Sequence, residues 1–259
     1  MTLDYEKMPG HWLLASLGKT VLRPGGIGLT QYMLDQLHIK ETDTVVEFAP
    51  GLGVTARMTL KHNPQYIAVE QDESAASKVQ KYLTNPEKQQ VIIGTAEQTN
   101  LPDECANIVY GEAMLTMQSA KQKQQIISEA KRILKPNGFY AIHEMSLTED
   151  VLKDGIRENL RKDLVEAIRV NALPLLIEEW KEELEKQGFE VKEIKTVPMH
   201  LLHPKRLIED EGVVGVLRIV KNVAKNPKAR KRVLKIRSAF MKYNDYLRGT
   251  CLVAQLKDK

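Results

Sequence analysis

Two cysteines in 259 residues, Cys105 and Cys251, are too few for a disulfide framework, and neither stands in a Cys-x-x-Cys or other metal-ligand spacing. Both are expected as free thiols filling core space, with no metal site. No apolar run approaches the roughly 20 residues that span a bilayer. The apolar stretch 12–17 is too short for the hydrophobic region of a secretory signal. A soluble, cytoplasmic protein with no membrane span is the expectation. Glycine and proline are not enriched, and there is neither low complexity nor a solenoid-length repeat. What remains is ordinary for a globular chain, 42% apolar and 28% charged, long enough for one large α/β domain or two small ones.

The net charge of +4 is modest but unevenly placed, because residues 221–237 carry eight lysines and arginines and no acid. Such a stretch could bind RNA or dock on an anionic membrane surface. It lacks an interleaved aromatic until Phe240, and Val220, Val223, Val233, Leu234 and Ile236 suggest helices packed on one face. A solvated helical face, with no nucleic-acid partner, is the preferred reading.

From Thr42 onward short β-branched runs alternate with amphipathic helical patterns, the sign of a mostly parallel sheet with helices on both faces. Strands are predicted at 44–49, 66–70, 90–93, 107–111 and 139–144, with later ones at 189–197 and 250–256, seven in all. Asp72-Glu73-Ser74 should open one helix, and Lys135-Pro136-Asn137-Gly138 should stop another that runs over 119–134. Helical insertions are expected at about 146–172 and 204–246. Residues 1–41 read as a helical N-terminal cap broken at Arg23-Pro24-Gly25-Gly26, and 42–259 as the sheet domain.

The most informative segment is Glu47-Phe48-Ala49-Pro50-Gly51-Leu52-Gly53-Val54-Thr55-Ala56, where a strand ends in a glycine turn and a helix begins. Backbone can approach a ligand closely there, and the helix N-terminus beyond favours an anionic group. Taken alone, Gly51, Gly53 and Ala56 with Glu70 downstream read equally well as a dinucleotide fingerprint, or as a tight βα turn and no more.

The surrounding order of features resembles the class I methyltransferase family that uses S-adenosylmethionine (SAM), over roughly residues 42–144. Glu47 stands where the family places an acid four residues before the first glycine, and Glu70 closes the next strand in Ile67-Ala68-Val69-Glu70. The resemblance implies a Rossmann-like fold that binds SAM and releases S-adenosylhomocysteine. It assigns Glu47, Ala49, Gly51 and Gly53 to the cofactor turn, Glu70 to the ribose hydroxyls and Gln71 to the adenine. Thr95, Ala96 and Glu97 match the region at the adenine edge, although Thr95 replaces the usual aspartate. Tyr110-Gly111-Glu112-Ala113 brings Glu112 to the site, and Leu134-Lys135-Pro136-Asn137-Gly138-Phe139 matches the family's helix-turn-strand. No tyrosine has a lysine four residues on, as a short-chain dehydrogenase would, and no base-methylase Pro-Pro-Tyr motif occurs. The subgroup most similar acts on small acceptors such as quinones and sterols.

Methyl transfer from a sulfonium is an in-line displacement from an activated donor, so the protein mainly aligns acceptor and methyl and excludes water. A small, partly apolar acceptor is expected, with Met8, His11, Trp12, Met114, Met117 and Met145 available to floor its pocket, each otherwise an ordinary core residue. His143, at the C-terminal end of the fifth strand, is the candidate base or acceptor contact, against a hydrogen-bonded strand-end histidine. The N-terminal segment to Gly26, the insertion at 146–172 and the late helices should close over the donor as a lid. The competing functions are an RNA-directed methyltransferase using 221–237 and a SAM-binding regulator without catalysis.

Overall fold

In the computed structural model, which describes residues 4–153 and 155–257, the chain is built on one mixed sheet. Its strands are β1 (Thr44–Phe48), β2 (Gln65–Glu70), β3 (Gln89–Ile93), β4 (Ala106–Glu112), β5 (Leu134–Leu147), β6 (Leu175–Leu176), β7 (Phe189–Pro198) and β8 (Leu247–Leu256). The order is β3-β2-β1-β4-β5-β8-β7, with β6 paired to the end of β5. β1 to β5 run parallel, and β8 lies antiparallel between β5 and β7. Among the described residues all seven expected strands are present, joined by β6, whose two residues are too short to leave a pattern.

The helices are α1 (Gly10–Ser16), α2 (Ile27–Leu37), α3 (Val54–Thr59), α4 (Glu73–Gln80), α5 (Ala120–Ile133), α6 (Ile156–Ile168), α7 (Ile177–Lys186), α8 (Pro204–Lys225) and α9 (Pro227–Lys242). Several ends follow from local chemistry. The Asp72 side chain accepts from Ala75 N at 2.8 Å and caps α4. Ser119 and Gln122 form a reciprocal capping box at the start of α5. At its other end α5 stops at Ile133, as the Lys135–Gly138 signal requires, and β5 begins at once: Leu134 pairs with Ala106, and pairing resumes at Phe139 opposite Ile108.

Alternation along the central strands sends neighbouring side chains to opposite faces. Val46, Val109 and Ile142 pack with Ile126, Ala130 and Ile133 of α5 and Trp180 of α7. Val45, Ile108 and Ala141 pack with Leu29, Met33 and Leu37 of α2 and Val79 of α4. A third cluster sits beyond the carboxyl end of β5, where Leu13 and Leu14 of α1 meet Leu160 and Leu164 of α6 and Ile236 and Phe240 of α9. Thus α2 belongs to the layer covering the sheet, and α1 belongs to a helical body over the strand ends.

Candidate active site

The parallel strand order reverses direction between β1 and β4, the crevice where ligands bind in open α/β sheets. β1 leaves this crevice through Ala49-Pro50-Gly51-Leu52-Gly53, with Gly51 at φ +57° and Gly53 at φ +70°. A Cβ on Gly53 would stand 2.8 Å from the Tyr82 ring, whereas one on Gly51 would meet no neighbour closer than 4.0 Å. At Gly51, then, it is the cavity that a side chain would fill. The Glu70 carboxylate holds the turn in place, accepting from Gly51 N and Asp72 N, each at 3.0 Å.

Two further carboxylates at this crevice are held in contrasting states. Glu47 is buried and accepts from the hydroxyls of Tyr66 at 2.5 Å and Tyr110 at 2.8 Å. Burial pushes its carboxyl up to about 7; the Tyr66 hydrogen bond opposes that rise, and the charge on Glu112 adds to it. Burial acts on Glu112 in the same sense, but the Arg23 guanidinium and the hydrogen bond to His143 outweigh it and hold that carboxyl down at about 2. Arg23 Nη1 donates to Glu112 at 2.7 Å, Thr30 Oγ1 donates at 2.5 Å, and Thr55 donates as well.

A fourth carboxylate shapes the wall. Glu144 accepts from the backbone N–H groups of Met114, Leu115 and Thr116 and from the Thr116 hydroxyl, at 2.7–3.1 Å. These bonds pin the 3-10 turn Leu115–Met117 after β4, so that Met114 and Met117 face the crevice. Burial raises the Glu144 carboxyl, against the Thr116 and backbone hydrogen bonds that favour its charge.

These groups border one cavity of about 530 Å³, within the usual range for a small-molecule site. Of the residues singled out in the sequence, Glu47, Ala49, Gly51, Glu70, Gln71 and Glu112 line it. So do His11, Trp12, Met114, Met117 and Met145. The remaining candidates lie elsewhere. Gly53 stands behind the turn against Tyr82, and Met8 packs against the helical cluster. Ala96 is in the core, while Thr95 and Glu97 sit on the loop after β3, away from the cavity lining.

His143 is fully buried and does not reach the cavity. Its Nδ1 is 2.7 Å from Glu112 Oε1 and its Nε2 bonds the carbonyl of Pro24. With both nitrogens engaged it supports Glu112 and the Pro24 turn, in place of the expected contact with an acceptor. The turn itself packs so tightly on β8 that a Cβ on Gly249 would lie 2.6–2.7 Å from the backbone of Pro24 and Gly25.

Reading the sequence alone missed Arg23, Thr30 and Thr55, the partners of Glu112, and Val170, Met199, Leu201, Ile236 and Phe240 of the apolar wall, which Ile168 of the expected insertion completes. Arg23 stood beside the recognised Pro24-Gly25-Gly26 break, and that was its only local signal. His11 lines the apolar part of the cavity, where burial lowers its affinity for a proton.

The profile of the methyltransferase domain family matches residues 46–142, the span from β1 to β5 that carries the glycine turn, Glu70 and Glu112. A Haemophilus influenzae protein, described only as uncharacterized, is 37% identical over 232 residues, which is 87% of this chain and 90% of that one. Solved structures share the fold at lower identity. The cyclopropane synthase MmaA2 of Mycobacterium tuberculosis superposes with a TM-score of 0.74 at 15% identity, over 98% of this chain and 99% of that one. The MccD protein superposes at 0.73 and 19% identity, over 91% and 99%. A phosphoethanolamine N-methyltransferase of Haemonchus contortus, solved with phosphomonomethylethanolamine and S-adenosylhomocysteine, superposes at 0.70 and 16%, over 96% of this chain and 57% of that one. Residues 46–142 are a methyltransferase domain, and the whole chain has the fold of the class I SAM-dependent methyltransferases.

Proposed function

We propose that this protein transfers the methyl group of SAM by in-line displacement to a small, partly apolar acceptor. The observation that carries the reading is the continuity of the cavity, which runs from the glycine turn and Glu70 to an apolar wall supplied by segments outside the sheet. The polar half fits the cofactor: Gly51 leaves room for a ligand against backbone, and Glu70 keeps lone pairs beyond the two N–H groups it accepts. Bound SAM supplies an already activated methyl group.

In this reading Glu70 accepts from the ribose hydroxyls and Gln71 borders the adenine. The N-terminus of α3 and Arg23 face the methionine carboxylate. Glu112, ionised and fixed by Arg23, Thr30 and Thr55, presents negative charge to the cationic end of the donor. Trp12, Met117, Met145, Ile168 and Phe240 exclude water from the acceptor half. His11 is the imidazole on that wall, placed to take a proton from an acceptor that has one to lose.

The test is transfer from methyl-labelled SAM into cell extract separated into small-molecule, RNA and protein fractions, alongside the variant Glu70→Ala. Label should enter the small-molecule fraction. The variant should bind S-adenosylhomocysteine about 10- to 100-fold more weakly, the scale of losing a partner for buried polar groups. Label in RNA would overturn the acceptor assignment, and tight binding with no transfer to any fraction would make the protein a regulator.

A further inference from the structure

α9 walls the cavity through Ile236 and Phe240, α8 packs beside it, and the solvent side of the pair is rich in exposed apolar residues. α8 breaks at Gly212, which has φ +67° and ψ +169°, and after that break it is apolar on two sides. Its inner side packs through Ile219 and Val223. Its outer side exposes Val213 at 62%, Val214 at 72%, Leu217 at 64% and Val220 at 57%. Residues 213, 217 and 220 share one helical stripe, with 214 beside it. A helix apolar on two sides asks for a second apolar neighbour, and among the described residues none covers this side.

Charge marks what that neighbour is. No acidic residue occurs from Gly212 to Asn244, a span holding ten lysines and arginines. Lys228, Lys235 and Lys242 are ion-paired to Glu6, Glu166 and Asp163 of the helical body. Arg232 is buried on the carbonyls of Tyr5, Glu6, Met8 and Ala167. The other six, Arg218, Lys221, Lys225, Arg230, Lys231 and Arg237, have no carboxylate partner among the described residues. Lys221 and Lys225 flank the apolar stripe directly, by helical spacing. α9 continues the pattern, exposing Leu234 and Met241, each at 56%, between cations, while its opposite side sends Ile236 and Phe240 into the cavity.

We propose that the outer face of α8 and α9 docks on an anionic phospholipid surface, with Val213, Val214, Leu217 and Val220 entering the interfacial region and the unpaired cations meeting the headgroups. Valines and a leucine exposed over more than half their surface are a cost that a lipid interface removes. Unpaired lysines and arginines beside them gain from a negative surface potential. RNA would satisfy the cations but leave the apolar stripe in water, and a second copy of this chain would bring like charge against like. Docking this way sets the wall that holds Ile236 and Phe240 next to the bilayer. The surface itself does not depend on the acceptor assigned above.

Flotation of the full-length protein with unilamellar vesicles of phosphatidylcholine, with and without phosphatidylglycerol, tests the proposal. The protein should float with the anionic vesicles and stay behind with the neutral ones. Lys221→Gln with Lys225→Gln should lower partition about 25-fold, from about fivefold per cation. Leu217→Asp with Val214→Asp should abolish flotation, and circular dichroism of both double variants should match the parent, since all four side chains are exposed. Failure to float with anionic vesicles overturns the proposal. So does a dimer in sedimentation velocity that Leu217→Asp dissociates while flotation is unaffected, or equal flotation of parent and both variants. Tight tRNA binding at physiological salt that is lost with the lysine variant, without flotation of the parent, would assign the surface to nucleic acid and equally overturn it.

Discussion

Two carboxylates about the same crevice titrate far apart, and the largest cause holding Glu112 down is the cation against it. Glu112 has Arg23 against it, and Glu47 has two tyrosine hydroxyls. With Glu47 pushed up to about 7, the folded chain holds its proton more tightly than the unfolded chain does. Stability of the ligand-free protein therefore falls as pH rises from the ordinary carboxylate range towards about 7, and levels off above it. A cationic ligand reverses the preference, because positive charge near Glu47 favours its ionised form. Binding of SAM then releases a proton and tightens as pH rises towards about 7. Calorimetry from about pH 5.5 to about pH 8 should show this slope for the parent and a flat profile for Glu47→Gln. An unchanged slope in the variant would place the titrating group elsewhere.

Between neighbouring elements, the contact that most needs explaining joins α8 to the segment ahead of α2. Lys19 is only 2% exposed and lies 3.3 Å from both Asp210 and Glu211. Glu211 also accepts from Thr20 N, Val21 N and the Thr20 hydroxyl at 2.7–3.0 Å, and Asp210 accepts from Ile27 N at 3.0 Å. The break at Gly212 immediately follows these acids. Lys19, Thr20, Leu22 and Arg23 all line the cavity, so this clasp holds the strip of chain that carries Arg23 to Glu112. Glu211→Ala strands Lys19 beside one acid and takes the partner from the Val21 N–H and from the Thr20 N–H and hydroxyl, of which water can reach those of Thr20. It should lower unfolding free energy by about 3 kcal/mol in urea titration, the scale of opening a buried ion pair. It should also expose residues 19–27 to proteolysis before the sheet. Intact protection there would show that α2 packing alone holds the strip.

Legibility divides along the same line. The glycine turn, Glu70 and the Asp72 cap were readable because each is a local device within a few residues of chain. The clasp was not, because Lys19 and Glu211 are 192 residues apart and nothing in either neighbourhood specifies the other. His143 was misplaced for a related reason: strand position put it at the right end of β5, but only the tertiary approach of Pro24 decides that its ring faces inward. The start of β5 differs from the expected 139 because Leu134 pairs with Ala106 ahead of the proline-asparagine-glycine signal, a signal that does end α5 at Ile133.

At the scale of the molecule, the cavity is bordered by two bodies with separate cores. The sheet body contributes the glycine turn, Glu47, Glu70 and Glu112, and the helical body contributes Trp12, Ile168, Ile236 and Phe240. A ligand that touches only the first should protect only the first. One that spans the cavity couples the opening of both, because local unfolding of either would release it. S-adenosylhomocysteine at about 100 times its dissociation constant should add about 2.7 kcal/mol of stability, worth roughly 5–10 °C in Tm for a chain of this size. Amide hydrogen exchange should then slow at Ala49–Gly53 and also in α1 and around Ile236 and Phe240 of α9. Protection confined to the turn and the end of β2 would mean that the donor does not reach the helical body, and that the apolar half of the cavity closes only when the acceptor arrives.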